Sequence, residues 1–262
     1  MHPMLNIATR TARQAGDLIR RYAGEVDKVR IQLKDANDFV SEVDKQSERE
    51  IIQALRRAYP DHAILGEESG RYGDENAEYQ WVIDPLDGTT NFLYGLPHFA
   101  VSIGLKQKGR LFLGVVYDPM RDEMFAAVRG EGATLNNRKI RVSARPSLEN
   151  ALLATGIPFR ANQNLDLYLE SLRVLVPNTA GVRRFGSAAL DLAWVACGRY
   201  DGFWEFGLQE WDLAAGALII QEAGGLIGDL QGGSDHLVHG DLLAANPKVF
   251  KEMLQRLHPV LK

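Results

Sequence analysis

The sequence predicts a mixed α and β protein, with a largely antiparallel first half and an α/β second half. Apolar residues at helical spacing mark a segment near each end of the chain, at residues 5–22 and 247–257. Short apolar runs separated by turn residues follow one another between residues 63 and 128. From residue 151, short strand-like runs alternate with longer helical segments. These three observations together predict the fold class.

The first half opens with two predicted helices and continues as strands. Residues 5–22 place apolar side chains on one helical face, and Pro3 suits the first turn of that helix. A second helix is predicted over residues 41–59, with Ser41 as its N-cap and Asp44 in its first turn. Strands are then predicted over residues 63–65, 81–83, 99–105, 111–117 and 124–128.

The second half alternates strands with helices and shows no linker that would separate it from the first. Strands are predicted over residues 151–155, 201–205, 226–229 and 242–245. Helices are predicted over residues 165–176, 186–197, 211–223 and 247–257. Because the sequence contains no repeat or low-complexity tract, we expect residues 1–145 and 146–262 to pack as one compact unit.

The composition is that of a globular protein with a large core. Of 262 residues, 45% are hydrophobic and 24% charged, and the formal net charge of −4 argues against strong direct binding to nucleic acid. The single cysteine, Cys197, excludes an intrachain disulfide and a cysteine-based zinc site. The sequence shows no signal peptide and no run of about 20 apolar residues that would cross a bilayer. We therefore expect a cytoplasmic protein.

The most informative stretch is WVIDPLDGTTNF, residues 81–92. Asp84 and Asp87 follow directly on an apolar run, although removing a charge from water is costly. A Mg²⁺ ion would offset the repulsion between two close carboxylates, and the Leu86 carbonyl between them offers a further oxygen ligand. The same residues also fit a turn that leads into a capped helix. Spacing alone leaves the two interpretations about even.

Neighbouring residues add features that phosphate chemistry uses. Amide groups after Gly88 can approach an anion closely, and the Thr89 hydroxyl can orient a water molecule. Two further acids lie at the ends of predicted elements, Glu67 after a strand and Asp212 at a helix start. Asp44 also lies at a helix start, where the helix dipole by itself explains a negative charge.

Three motifs taken together resemble a known family. They are GEES at 66–69, WVIDPLDGTTNF at 81–92 and WDLAAG at 211–216. They resemble the inositol monophosphatase family, with the closest likeness to its bacterial SuhB branch. The likeness covers the whole chain and includes VDKQSE at 43–48, PHFAVSI at 97–103, GSAALDLA at 186–193 and EAGG at 222–225.

The resemblance implies a layered αβαβα sandwich of the inositol monophosphatase and fructose-1,6-bisphosphatase type, usually dimeric. It also implies a Mg²⁺-dependent, lithium-sensitive phosphatase that hydrolyses myo-inositol monophosphates and related sugar or polyol phosphate monoesters. A metal-activated water would attack the phosphorus, so no histidine nucleophile is needed. We therefore expect His62 and His98 to be structural.

The resemblance further implies two to three Mg²⁺ ions and their ligands. Asp84 matches the acid that bridges two metals, while the Leu86 carbonyl and Asp87 match ligands of the first and second metal. Glu67 matches a catalytic glutamate that binds the first metal and approaches a third. Asp212 matches the distant acid that completes the second site.

Catalytic and substrate contacts are implied in the same way. Asp44 and the Thr89 hydroxyl match the pair that orients the attacking water. Glu205 matches a glutamate that bonds inositol hydroxyls, Ala188 matches a backbone contact near the ring, and Lys34 matches a lysine on a loop near the third metal. The implied substrate contacts are Asp87, Gly88, Thr89, Ala188, Glu205 and Asp212. In ATGIPFR, residues 154–160, the serine contact of the family has no clear match, which leaves the preferred polyol open.

Two other functions remain open at this point. The SuhB branch is associated with transcription antitermination in ribosomal RNA synthesis, through contact with Nus factors and RNA polymerase. The surface around Arg183 and Arg184 and the edge of a homodimer are the contact candidates for that role. Related phosphatases act on fructose bisphosphate, 3′-phosphoadenosine phosphate or NADP, but the compact length and the FWEFG and WDLAAG segments favour the inositol branch.

Overall fold

The structure is a computed structural model that describes residues 2–25, 31–35, 38–158 and 163–261, with the backbone alone for 31–35 and 38–40. The described helices are α1 (Pro3–Ala23), α2 (Glu42–Ala58), α3 (Thr89–Leu93), α4 (Leu165–Leu175), α5 (Ala188–Ala196), α6 (Glu210–Glu222), α7 (His236–His239) and α8 (Pro247–Leu257). The described strands are β1 (Ile31–Asp35), β2 (Asp38–Ser41), β3 (Ala63–Gly66), β4 (Gly70–Tyr72), β5 (Tyr79–Asp87), β6 (Ala100–Gln107), β7 (Arg110–Asp118), β8 (Glu123–Val128), β9 (Gly132–Leu135), β10 (Arg138–Lys139), β11 (Leu152–Thr155), β12 (Gly181–Arg183), β13 (Gly202–Glu205), β14 (Leu226–Gly228) and β15 (Leu242–Ala245).

These elements form five layers in the order αβαβα, which confirms the predicted fold class. Helices α1 and α2 cover one face of an eight-stranded sheet with the strand order β10-β9-β8-β7-β6-β5-β3-β4. Helices α5 and α6 lie between this sheet and a five-stranded sheet with the order β12-β11-β13-β15-β14. Helices α4 and α8 cover the far face of the second sheet.

The strand directions also follow the prediction. In the eight-stranded sheet only β3 and β5 pair in parallel, and the other neighbouring strands are antiparallel. In the second sheet β11 is parallel to both β12 and β13, as expected of an α/β arrangement. Strands β13, β15 and β14 continue it as antiparallel neighbours.

Alternation along β5 shows how one strand serves two apolar cores. Trp81 and Ile83 pack towards α1 and α2, while Val82 between them packs into the cluster that contains α5 and α6. Side chains alternate between the two faces of a strand, so an unbroken apolar run fits a sheet that is covered on both sides. The apolar run at 81–83 is thus explained by its place in a sheet that is covered on both faces.

Helix α6 lies directly on the eight-stranded sheet. A Cβ atom at Gly114 of β7 would be 2.5 Å from the Ala215 carbonyl oxygen, so only glycine allows this approach. The helix is apolar on nearly every side, with Leu213–Ile220 all buried, because it is sandwiched between two sheets. This packing fixes the N-terminal end of α6, which begins at Glu210, against the ends of the central strands.

The helix limits agree closely with the sequence prediction, and the largest difference concerns β5. The predicted strand at 81–83 continues through Pro85 to Asp87, because an irregularity in its pairing accommodates the proline. Elements that the sequence prediction missed are short or lie at sheet edges, namely β1, β2, β4, β9, β10, β12, α3 and α7. Within the described residues, no helix has the length and apolar character needed to span a membrane.

One apolar cluster draws on both halves of the chain. Residues of β5, β7 and β8 meet residues of α5, α6 and β13 between the two sheets. On that ground we propose that residues 1–145 and 146–262 form a single folding unit.

Cys197, directly after α5, is half-buried, and its Sγ lies 3.6 Å from the Trp194 carbonyl oxygen.

Candidate active site

A bulge in β5 brings two acids to one side of the sheet. In regular strand pairing, residues three apart point to opposite faces. Here Asp84 pairs with Ser102 and Asp87 with Ala100, so β5 contains one more residue than β6 between these two pairs. The extra residue restores the phase, as β-bulges do, and both carboxylates then face the same pocket.

A third acid reaches the same point from α6. Each of Asp84, Asp87 and Asp212 offers a carboxylate oxygen within 4.8 Å of the others. Asp84 is buried, and the other two are partly buried. All three are also oriented by the backbone: Asp84 accepts from the Leu86 amide at 2.9 Å, Asp87 from the Ala189 amide at 2.8 Å and Asp212 from the Gln209 amide at 2.7 Å.

Crowding and burial shift the pKa values of this acid group upward. Burial is the main cause for all three, and the charges of Glu67, Asp87 and Asp212 raise the pKa of Asp84 further. The pKa of Asp87 rises to about 6, although a hydrogen bond from Ser187 opposes the shift. Burial and the charge of Asp87 hold the pKa of Asp212 well above its usual value. The arrangement is therefore costly as three anions and favours a cation among them.

Glu67 joins this group from the end of β3. Its amide donates to the Ile83 carbonyl at 3.1 Å, which ties it to the strand that carries Asp84. The Glu67 carboxyl group contacts that of Asp84 through a hydrogen bond that raises the pKa of Asp84. The next amide, of Glu68, donates to the buried Glu48 carboxylate at 3.0 Å. Glu48 thus anchors this loop, a role that the sequence did not reveal.

Asp44 and Thr89 form a hydroxyl–carboxylate pair beside the acid group. The Thr89 hydroxyl lies 2.7 Å from Asp44 Oδ1 and 3.0 Å from the Leu86 carbonyl oxygen. The other carboxylate oxygen of Asp44 accepts from the Ser41 amide and hydroxyl in a capping box. Asp44 therefore caps its helix and holds Thr89 at once, and burial raises its pKa. The capping interpretation of Asp44 is confirmed, and its part in orienting a water molecule stays a prediction.

Gly88 makes the turn that places Thr89. Its φ of +94° lies in the left-handed region, which favours glycine. A Cβ atom there would also be 3.0 Å from the His98 carbonyl oxygen. Helix α3 starts at the next residue, so the amides of its first turn have no partner within the helix.

A pocket of 580 Å³ lies beside the acids, and we divide the residues that line it into a floor and an alcohol half. Asp84, Asp87, Asp212, Glu67, Leu86, Gly88 and Thr89 line its floor. Ile157, Gln163, Arg184, Ala188, Glu205 and Leu208 form the alcohol half. The structure thus gathers every site residue predicted from the sequence around one pocket, except Asp44, which lies behind Thr89, and Lys34. Lys34 lies in β1, and its side chain is outside the described part of the chain.

Comparison with known proteins agrees with this geometry. The model of the inositol monophosphatase family matches residues 1–260. The chain belongs to the inositol monophosphatase family. Its relatives include the Nus factor SuhB of Pseudomonas aeruginosa, which is 59% identical over 265 residues, covering 100% of this chain and 98% of the relative.

Solved structures of the inositol monophosphatase family share this architecture. Extragenic suppressor protein suhB from Bartonella henselae has a TM-score of 0.95 and 43% identity, covering 98% of each chain. Inositol monophosphatase from Anabaena (Nostoc) sp. PCC 7120 has a TM-score of 0.88 and 40% identity, covering 98% of this chain and 95% of the other.

Within this family fold, the donor set suits a hard divalent cation. The acid group offers carboxylate oxygens and the Leu86 carbonyl lies beside it, which are the ligand types that Mg²⁺ and Mn²⁺ prefer. A cation would also remove the repulsion that raises the pKa values of Asp84, Asp87 and Asp212. The residues present therefore fit a metal centre.

Ser187 is a functional neighbour that sequence reasoning missed. Its hydroxyl donates to Asp87 Oδ2, and the Ala189 amide donates to the same oxygen at 2.8 Å. Ser187 is also the N-cap of α5, so the start of this helix holds the carboxylate in place. The GSAAL motif did contain Ser187, but only the contact across 100 residues gives it this role.

The histidines and Asn91 have structural contacts. His62 stacks between Tyr59 and Tyr79 and accepts a hydrogen bond from the Trp81 indole at 3.1 Å. His98 is buried, and burial lowers its pKa to about 4. The Asn91 side-chain amide donates to the His98 carbonyl at 2.8 Å and the Phe185 carbonyl at 2.7 Å. Asn91 thereby joins the segment that follows Asp87 to the segment that precedes α5.

Proposed function

We propose that the chain is a Mg²⁺-dependent phosphatase that hydrolyses myo-inositol monophosphates and related sugar or polyol phosphate monoesters. The observation that carries this proposal is the convergence of Asp84, Asp87 and Asp212 beside the Asp44–Thr89 pair. The ligands of two to three ions would be Glu67, Asp84, the Leu86 carbonyl, Asp87 and Asp212.

The acid group supports the binding of a phosphate dianion only together with cations. Bound Mg²⁺ would supply Lewis-acid stabilisation of the phosphoryl oxygens and lower the pKa of a water molecule. The carboxylates would hold the cations in place. Hydrogen bonds from the Ser187 hydroxyl and the Ala189 amide fix the orientation of the Asp87 carboxylate. This outer support matters because the orientation of ligands tunes a metal site.

Thr89 is proposed to orient the attacking water. When its single hydroxyl proton points to Asp44, its oxygen has lone pairs free to accept a proton of a water molecule. Asp44 is held by Ser41 through two hydrogen bonds, so Thr89 cannot easily turn away. The hydrogen bond to Thr89 fixes the orientation of the water molecule, so that one of its lone pairs can point towards the phosphorus. Such orientation of the nucleophile lowers the barrier to its attack.

Phosphate and alcohol would occupy different halves of the pocket. The amides at Gly88 and Thr89 lie at the start of α3, where an anion is favoured, and are proposed to hold the phosphate with Asp87 and Asp212 nearby. Glu205 and the backbone at Ala188 are proposed to contact the hydroxyl groups of the alcohol.

Phosphate release from inositol 1-phosphate tests this proposal. We expect turnover with Mg²⁺, loss of turnover with a chelator, and inhibition by Li⁺. Asp87→Asn should abolish turnover and leave the folded structure intact. The matched control is Asp61→Asn, an exposed acid outside the pocket, which should behave as the wild type. Unchanged turnover in Asp87→Asn would contradict the metal assignment.

A substrate panel separates this proposal from related phosphatases. Fructose bisphosphate, 3′-phosphoadenosine phosphate and NADP should each release phosphate more slowly than inositol 1-phosphate under the same conditions. Faster release from a bisphosphate would reassign the substrate class and leave the metal chemistry in place.

A second proposed function is a role in transcription antitermination of ribosomal RNA operons, alongside the phosphatase activity. The name Nus factor, carried by the relative that is 59% identical, favours it. Its proposed partners are Nus factors and RNA polymerase, and this role would place the chain in the cytoplasm. Arg183 is exposed next to the pocket residue Arg184 and offers a contact surface. A pull-down with purified chain that returns no transcription factor, with or without Mg²⁺, would contradict this role.

A homodimer is part of the same proposal. Tyr94, Leu96 and Phe185 expose 73%, 54% and 43% of their surface in loops near the pocket, and large exposed apolar side chains often mark an interface. Sedimentation should give twice the monomer mass of 29.1 kDa. A monomer at all concentrations would contradict the dimer.

A further inference from the structure

Gly156 lies beside Glu205 at the edge of the second sheet. Strands β11 and β13 run in parallel, with Thr155 paired to Trp204. The residues that follow this pair, Gly156 and Glu205, therefore emerge next to each other at the carboxyl ends of neighbouring strands. That edge opens into the pocket, which Glu205 lines together with Ile157, the residue after Gly156.

The Glu205 carboxylate occupies the space that a side chain at position 156 would fill. A Cβ atom on Gly156 would lie 1.8 Å from Oε1, 2.0 Å from Cδ and 2.4 Å from Oε2 of Glu205. None of these distances is compatible with non-bonded contact. Because the obstacle is the end of a flexible side chain, a methyl group here would move the carboxylate and leave the strands in place.

We propose that Gly156 is a positioning residue for Glu205, and that the pair selects esters with hydroxyl groups close to the phosphate. This inference rests on the proposed function. Glu205 lines the same pocket as the acid floor, so its carboxylate can accept hydrogen bonds from the alcohol part of a substrate. The hydroxyl-bearing ring would be recognised only while the space at position 156 stays empty.

The single variant Gly156→Ala tests this role with two substrates. The KM for inositol 1-phosphate should rise about tenfold at similar kcat, the size expected when one hydrogen bond to a charged group is lost. Phenyl phosphate, which has no hydroxyl groups on its ring, should keep its KM and kcat. The control is Gly24→Ala, since Gly24 has an ordinary φ of −85° and no atom within 4 Å of an added Cβ.

A double-mutant cycle distinguishes positioning from a general defect. Glu205→Ala should raise the KM for inositol 1-phosphate by a similar factor, because it removes the same contact. Adding Gly156→Ala to that variant should then change nothing, since the colliding carboxylate is gone. A further rise in KM in the double variant, or equal losses on both substrates in Gly156→Ala, would overturn the inference.

The wild type separates failure of this inference from failure of the proposed function. Wild-type turnover of phenyl phosphate without any turnover of inositol 1-phosphate would overturn both the polyol substrate class and the inference. Turnover of both by the wild type, with Gly156→Ala matching it on both, would overturn the inference alone.

Discussion

The floor of the pocket and its alcohol half are built in different ways. On the floor, backbone amides at the ends of helices and strands fix each carboxylate, as Leu86 does for Asp84 and Ala189 for Asp87. In the alcohol half, Ile157 exposes 43% of its surface, and the Glu205 carboxylate occupies the space that a side chain at Gly156 would fill. The fixed carboxylates thus lie on regular elements, and the residues proposed to select the alcohol lie at strand ends and in loops.

This difference predicts where substitutions change the chemistry and where they change the choice of substrate. Changes on the floor should lower kcat or metal affinity for every phosphate ester, because all of them share the phosphoryl group. Changes in the alcohol half should alter KM for particular alcohols only. The following predictions test that division, beginning with the largest expected effect.

Among the side chains that are not carboxylates, removal of the Thr89 hydroxyl should lower kcat the most. Thr89→Ala should lower kcat about a hundredfold for inositol 1-phosphate and phenyl phosphate alike, because it removes the acceptor for the attacking water. Steady-state phosphate release measures this, with Mg²⁺ at saturation. The control Thr89→Ser keeps the hydroxyl and should keep most of the activity. A loss of kcat for only one of the two esters would contradict the division between the floor and the alcohol half.

Acidification should weaken metal binding at the floor. The folded protein raises the pKa of Asp87 to about 6, so protons compete with the cation as the pH falls through that value. Between about pH 7 and about pH 5 we expect Mg²⁺ affinity to fall at least tenfold. Calorimetric titrations at the two pH values measure it. An affinity that is independent of pH would show that Asp87 is not a ligand.

The folding stability of the metal-free protein should change with pH in the opposite direction to its Mg²⁺ affinity. Because the folded-state pKa of Asp87 lies above its unfolded value, its contribution to stability is fully present below the unfolded pKa. That contribution is lost as the pH rises through about 6. Thermal unfolding should therefore show that Mg²⁺ stabilises the protein more at about pH 7 than at about pH 5. Asp87→Asn should reduce this difference.

Ser187 should affect metal affinity through Asp87. Ser187→Ala should weaken Mg²⁺ binding about tenfold and lower stability by about 1 kcal/mol, because it removes a hydrogen bond to the ligand and the N-cap of α5. Ser187→Thr retains the hydroxyl and serves as control. A stability loss with unchanged metal affinity would reduce Ser187 to a helix cap.

Ile157 should have the smallest effect of the pocket residues considered. Ile157→Ala removes exposed apolar surface, so the KM for inositol 1-phosphate should change by no more than about threefold. The kcat should stay the same, because the Ile157 side chain offers neither a metal ligand nor a hydrogen-bonding group. A large loss of kcat here would contradict the separation of the two halves.

The sequence predicted the elements that carry the site better than the contacts between them. The helix of residues 41–59, with Ser41 as its cap, could be read from local periodicity and capping chemistry, and the structure has it as Glu42–Ala58. The order of the layers followed from the family likeness. The bulge between Asp84 and Asp87 could not be predicted, because it depends on the register with β6.

The same limit applies to the supporting residues. Ser187 reaches Asp87 across 100 positions of the chain, and Glu48 reaches the Glu68 amide across 20. Gly156 gains its significance only when two parallel strands end side by side. Local patterns identify the acids that are proposed to bind metal, whereas the residues that orient them are identified by tertiary contacts.

The most direct test of the account is calorimetric titration of Mg²⁺ into the wild type and Asp212→Asn at about pH 7. The wild type should bind Mg²⁺, and at about pH 6, where the raised pKa of Asp87 leaves part of this carboxyl group protonated, binding should release protons. Asp212→Asn should lose at least one binding event and most of the turnover. Equal Mg²⁺ binding and equal turnover in the two proteins would contradict the claim that this acid group is the catalytic metal centre.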